Sequence, residues 1–171
     1  MKQLIGVLAM LMFINNVKAQ EGKRAVLHFS DLKQFEGAWS GDLCYKDYQS
    51  GKMQRIQASI KIKWQTGRTW IVEYDYPREP GHKSTDVYTL NTHGDSLSNT
   101  RIIEKKRLHP GGISFTTESK GKDGNDDQQA LFHYIWRMEG DSLQIAKMVR
   151  YAHTDTFFLR NTYLLKLVKG R

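Results

Sequence analysis

Five groups of residues in this sequence carry side chains suited to chemistry. His153-Thr154-Asp155 sets an imidazole beside a carboxylate, as an acid/base pair or a metal fragment would. No second histidine stands at ligand spacing, so solvated turn residues are the expected reading. His133 lies between Phe132 and Tyr134 in an alternating stretch, which suits a hydrogen-bonded core histidine better than a haem or metal ligand. Asp123, Asp126 and Asp127 imitate a calcium loop, but EF-hand spacing and a distal glutamate are missing. Cys44 is the only cysteine, which excludes an internal disulfide, and it reads as a plain thiol rather than a nucleophile. Ser50 and Ser59 have no partnered base, and the chain has no Walker loop, dinucleotide fingerprint or nucleophile elbow. These residues predict no catalytic group, no metal and no cofactor. An enzyme would need an interior acid or base with a shifted pKa, and only Asp47 and His133 offer one.

The elements that would position any site are strands. From Gly37 the residues alternate, with Trp39, Gly41, Leu43 and Tyr45 on one face and Ser40, Asp42, Cys44 and Lys46 on the other. Gly51 permits the turn that follows. A second strand over 53–64 sets Ile56, Ala58, Ile60, Ile62 and Trp64 against Gln57, Ser59, Lys61 and Lys63. A third over 68–76 aligns Trp70, Val72, Tyr74 and Tyr76. Further strands are expected at 85–91, 97–105, 112–118, 131–139, 142–151 and 156–168, with 120–129 a long loop. A helical turn at 32–35, capped by Ser30 or Asp31, leads into the first strand. Short turns between neighbouring strands predict an all-β fold, an antiparallel up-and-down β-barrel of 8–10 strands that closes to remove its edges. An antiparallel ring needs an even number, so one of these nine strands is misdrawn.

The N-terminus reads differently. Lys2 precedes an apolar run of about eleven residues, and Val17-Lys18-Ala19 supplies small residues for cleavage. This predicts a signal peptide over 1–19 and a single barrel domain over 20–171. The mature chain is then secreted or periplasmic, with no stable membrane insertion because no second long apolar run follows. The formal net charge of +8 falls to about +6 once Lys2 and Lys18 leave with the signal. Dispersed basic charge on a secreted chain argues against nucleic acid and fits an anionic small ligand or surface.

A helical turn leading into Gly37-x-Trp39, followed by a meander, resembles the lipocalin and calycin barrels, and Gly37-Ala38-Trp39-Ser40-Gly41 is closer to the lipocalin-like proteins secreted by bacteria than to vertebrate lipocalins. The resemblance implies that the tryptophan plugs one end of the barrel and that a late-strand arginine, Arg150 or Arg160, packs over it. The lipocalin disulfide is absent. Leu43 replaces a glycine of the nitrobindin motif, which argues against haem. The expected function is binding of a small apolar or anionic amphiphilic molecule. The alternatives are an isomerase or cyclase on the same barrel, or an inhibitory module with a filled core. Alternating the turns between the two ends places Arg78, Lys105 and Arg107 on a basic rim above Tyr45, Tyr74 and Tyr76. The expected ligand-binding set is therefore Trp39, Tyr45, Tyr74, Tyr76, Arg78, Lys105, Arg107, Arg150 and Arg160.

Overall fold

The structure, a computed structural model, describes residues 25–169 apart from Tyr48, Thr66 and Pro80; the expected signal peptide lies outside the described residues. The helical turn is α1 (Phe29–Lys33), and ten strands follow. They are β1 (Gly37–Lys46), β2 (Met53–Trp64), β3 (Thr69–Asp75), β4 (Ser84–Thr89), β5 (Ser96–Leu97), β6 (Thr100–Leu108), β7 (Gly112–Asp123), β8 (Gln128–Glu139), β9 (Ser142–Tyr151) and β10 (Phe158–Leu167). All ladders are antiparallel, and the sheet order is β4-β3-β2-β1-β10-β9-β8-β7-β6-β5. This is the expected up-and-down barrel. The β1–β10 ladder joins its two halves, from Trp39 opposite Leu167 to Tyr45 opposite Asn161.

The ring is nearly closed. β4 and β5, the two ends of the sheet order, meet through the bridge Leu90–Leu97 and a hydrogen bond from the Ser98 N–H to the Thr89 carbonyl at 2.7 Å. The expected strand over 97–105 is in fact two strands. The chain reverses after Leu97, where Ser98 takes a φ of 53° and β5 ends after two residues. β6 then pairs with β7 only as far as Glu118. Residues 119–123 of β7 therefore have no β6 partner, and the outer edge of β4 has none across from them. A lateral window separates the two edges in the open half of the barrel.

The other half is packed. Trp39, Phe35, Trp70, Phe115 and Trp136 are all buried. The Phe35 ring meets Trp70, Phe115 and Trp136 edge-on at 5.7, 5.5 and 6.2 Å, the arrangement that ring quadrupoles favour. The Trp39 indole donates to the Phe35 carbonyl at 3.0 Å, so the ring is buried without an orphaned N–H. Gly41 explains how β10 comes so near β1: a Cβ there would lie 2.2 Å from the Leu164 carbonyl oxygen.

α1 is anchored across this end by charge. Asp31 is fully buried; it accepts from the His28 N–H at 2.8 Å and pairs with Lys105 at 2.8 Å and with Arg107. Burial pushes its carboxyl pKa up, but the His28 N–H and the two cations outweigh that and hold it below the ordinary value. Lys105 and Arg107 thus lie at the closed end, not on an open rim. The extra reversal at Ser98 exchanges the ends for the strand that follows it, and β6 runs toward α1.

Candidate functional site

The strand directions place four connections at the open end: residues 47–52, 76–83, 124–127 and 152–157. Beneath them the inward faces change character. On β3 and β4, Tyr74 faces in opposite Ser84, Val72 opposite Asp86, and Trp70 opposite Tyr88. On β8 and β9, Tyr134 is paired with Lys147 and Trp136 with Ile145. β10 adds Asn161 and Tyr163. All of these except Val72 and Trp70 line a chamber of about 190 Å³, and its Ser84 and Asp86 are exposed on the edge strand β4.

A second hollow of about 300 Å³ lies at the mouth between β1, β2 and β10, lined by Leu43, Tyr45, Ile56, Tyr76, Glu79, His82, Arg160 and Asn161. The partition between the two is a hydrogen bond between the Tyr76 and Tyr163 hydroxyls at 2.6 Å. Hollows of about 320 and 420 Å³ lie on the outer sheet surface, lined by Ser142, Gln144 and Lys166 in one case and Lys61, Glu73 and Lys83 in the other. Both are shared between outward polar side chains and the edges of inward ones, Leu143 and Leu165 in the first and Trp39, Ile60 and Tyr74 in the second.

The chamber is electrically divided. Lys147 donates to Asp123 at 3.1 Å and lies 4.3 Å from the centre of the Phe132 ring. Asp123 is itself buried, with the Tyr151 hydroxyl at 3.4 Å and the Arg160 Nε at 3.9 Å. Asp86 accepts from the Tyr88 hydroxyl at 3.0 Å. Four tyrosines respond to this setting. Burial, and then the phenols and carboxylates around them, raise the pKa values of Tyr74, Tyr88, Tyr134 and Tyr163. They stay neutral at any physiological pH and present hydroxyl groups to the chamber.

The expected site residues divide among several places. Tyr74 lines the chamber, while Tyr45, Tyr76 and Arg160 line the mouth. Arg160 is buried and donates to the Lys46 carbonyl at 2.5 Å, far from Trp39. Arg150 shares the open end with it, its guanidinium 5.4 Å from the Phe157 ring and donating to the Thr154 carbonyl. Neither arginine covers the plug tryptophan, because both stand near the opposite end of their strands. Arg78 acts on Asp42, on the outer face of β1, where Arg55 is the stronger influence. Asp47 closes its own turn by accepting from the Ser50 N–H at 2.6 Å. His133 faces outward, 3.1 Å from Glu118 and stacked at 4.1 Å on Phe157. Neither supplies the chamber with an acid or base. The basic rim is not assembled, and the acidic residues Asp123, Asp126 and Asp127 stand at the open end where it was expected.

Sequence reasoning missed Asp86, Tyr88, Tyr134, Lys147, Asn161 and Tyr163. The available signal was parity: Ser84, Asp86 and Tyr88 alternate with Thr85 and Val87. An inward face built from serine and aspartate hides itself, because the usual pattern search looks for apolar residues.

No protein-family model and no curated protein matches this sequence. Among solved structures the chain is similar to a point mutant of the fluorescent protein UnaG, with a TM-score of 0.41 and 8% identity, covering 81% of this chain and 99% of that one.

Proposed function

We propose that this protein is an exported barrel that binds a small molecule in its open half. The observation that carries the reading is the change along the inward faces of the same strands. On β8, Met138 belongs to the packed core, Trp136 stands at its boundary, and Tyr134, one inward position further toward the open end, faces a space ringed by hydroxyls, an amide and charged groups. A concave space lined by aromatic rings with a few convergent polar groups is the usual form of a small-molecule site. The aromatic lining suits the apolar part of a ligand. The anionic part of the expectation loses its support, because Lys105 and Arg107 are held by Asp31 at the other end. Export follows from the Lys2-to-Ala19 segment and is tested by the mature N-terminus of protein recovered from culture.

Native mass spectrometry of freshly purified protein tests the binding. The expected result is a bound species that disappears on denaturation and whose removal changes the fluorescence of Trp136 and its neighbours. A bare polypeptide mass, together with unchanged fluorescence across a panel of cationic, neutral and anionic aromatic compounds, would contradict this function.

A further inference from the structure

Resting on that reading, we propose that the chamber selects a compact organic cation, a primary or quaternary amine bearing a small apolar group, with Asp86 as its counter-ion. Two charged side chains line the chamber, Asp86 and Lys147. Lys147 is already neutralised by Asp123 at 3.1 Å and covered by the Phe132 ring. The hydrogen bond that Asp86 receives comes from the neutral Tyr88 hydroxyl at the exposed entrance of the chamber, and no lysine or arginine among the described residues lies within ion-pair distance of it. Of the two charged side chains that line the chamber, Asp86 is therefore the one not engaged in an ion pair.

The surroundings of Asp86 suit a cation for a second reason. Tyr74, Tyr88, Tyr134, Trp136 and Tyr163 converge on the same space, and an aromatic face carries negative potential that attracts an ammonium group. The Asp86 charge reaches Tyr74, Tyr88, Tyr134 and Tyr163, so the carboxylate and these rings address one volume. A volume of about 190 Å³ suits a compact amine. Asp86 lies on an edge strand beside the window, so the charged group of the ligand stays near the entrance while its apolar part lies toward Trp136 and Ile145.

Isothermal titration with phenethylamine, 2-phenylethanol and phenylacetate separates the possibilities. Phenethylamine is expected to bind about tenfold more tightly than the alcohol, and phenylacetate most weakly. Asp86→Asn should bring the amine to the affinity of the alcohol and leave the alcohol unchanged. Asp86→Lys should reverse the preference toward phenylacetate. Unchanged melting temperatures show that both variants fold, as expected for an exposed edge position. Equal binding of amine and alcohol, unaltered by either variant, overturns cation selection while leaving the small-ligand reading intact. Tightest binding by phenylacetate in the unmodified protein overturns it in favour of an anion. If none of the three binds and native mass spectrometry shows a bare chain, the small-ligand reading itself fails.

Discussion

The two halves of this barrel are built from the same strands with the same inward parity, yet they solve different problems. At the α1 end, inward positions are Trp39, Ile60, Ile62, Trp70, Phe115 and Trp136, and the charges are bound to one another through Asp31, Lys105 and Arg107. At the other end, inward positions are tyrosines, Asn161, Lys147 and Asp86 around open space, with only Ala130, Phe132 and Val149 forming a small second core. The first half is a packed aromatic core, and the second is a polar space lined by hydroxyls and charges. The difference teaches that stability is concentrated where the helix plugs the ring, which leaves the open half free to keep polar groups that packing alone would not select.

The comparison is broken most severely at Trp39. Trp39→Ala should lower stability by about 3–5 kcal/mol, measured by urea unfolding, because a buried indole and its bond to Phe35 are both lost. A loss below about 1 kcal/mol would show that the plug does not hold the barrel.

Asp31→Asn comes next. It should cost about 2–3 kcal/mol, less than a fully buried pair, because Arg107 retains contact with solvent. The folded-state pKa of Asp31 lies below the ordinary value of 3.8, so the folded protein favours the ionised form. Its stabilisation is complete above that value and is lost as pH falls through the folded pKa. Acid unfolding curves should therefore flatten below about pH 4 in the variant. Identical acid limbs in the two proteins would remove Asp31 from the account.

The open half is expected to fail at the opposite extreme. Tyr88 and Tyr163 have raised pKa values because burial, and then nearby phenols and the Asp86 charge, disfavour the phenolate. A raised acid pKa contributes stability that is intact below the unfolded value of about 10 and lost as pH rises beyond it. Tyrosine ionisation, followed by ultraviolet absorbance, should coincide with unfolding in alkali. Tyr163→Phe should shift that transition upward while costing about 1 kcal/mol at neutral pH through the lost Tyr76 bond. Free titration of these phenols in folded protein would refute the buried placement.

The smallest effect is expected at Cys44, which is half-buried on the outer face of β1 opposite Arg55 and Thr162. Cys44→Ser should change stability by no more than about 0.5 kcal/mol. The native thiol should react with a small alkylating reagent, more slowly than after unfolding. Complete protection would imply that the strand register is reversed.

Much of the first half of the molecule was legible in the sequence. The alternation from Trp39 to Tyr45, from Ile56 to Trp64 and from Trp70 to Tyr76 gives the observed inward faces, because one side of each strand contacts the core and the other contacts water. The helical turn into Gly37 was legible for the same local reason. The second half was misread at two places: the expected long loop over 120–129 is strand except at residues 124–127, because β7 and β8 stay paired out to Asp123 and Gln128, and the expected strand over 97–105 is two strands. Leu97-Ser98-Asn99-Thr100 carries turn-compatible residues within a run that continues to alternate, so nothing local separates a long strand from a two-residue strand and a reversal.

Sequence by itself determined the fold class, the strand faces of β1 to β3 and the burial of Trp39, since period-2 patterning and side-chain size act through nearest neighbours. Which end of the barrel a strand points to depends on the count of all reversals before it, so one missed turn moved Lys105 and Arg107 from the mouth to the plug. The chamber is less local still. Asp86, Tyr134, Lys147 and Tyr163 stand on β4, β8, β9 and β10, far apart in sequence, and only closure of the sheet through β1 and β10 brings them around one space. Their meeting is a property of the ring, and no single segment encodes it.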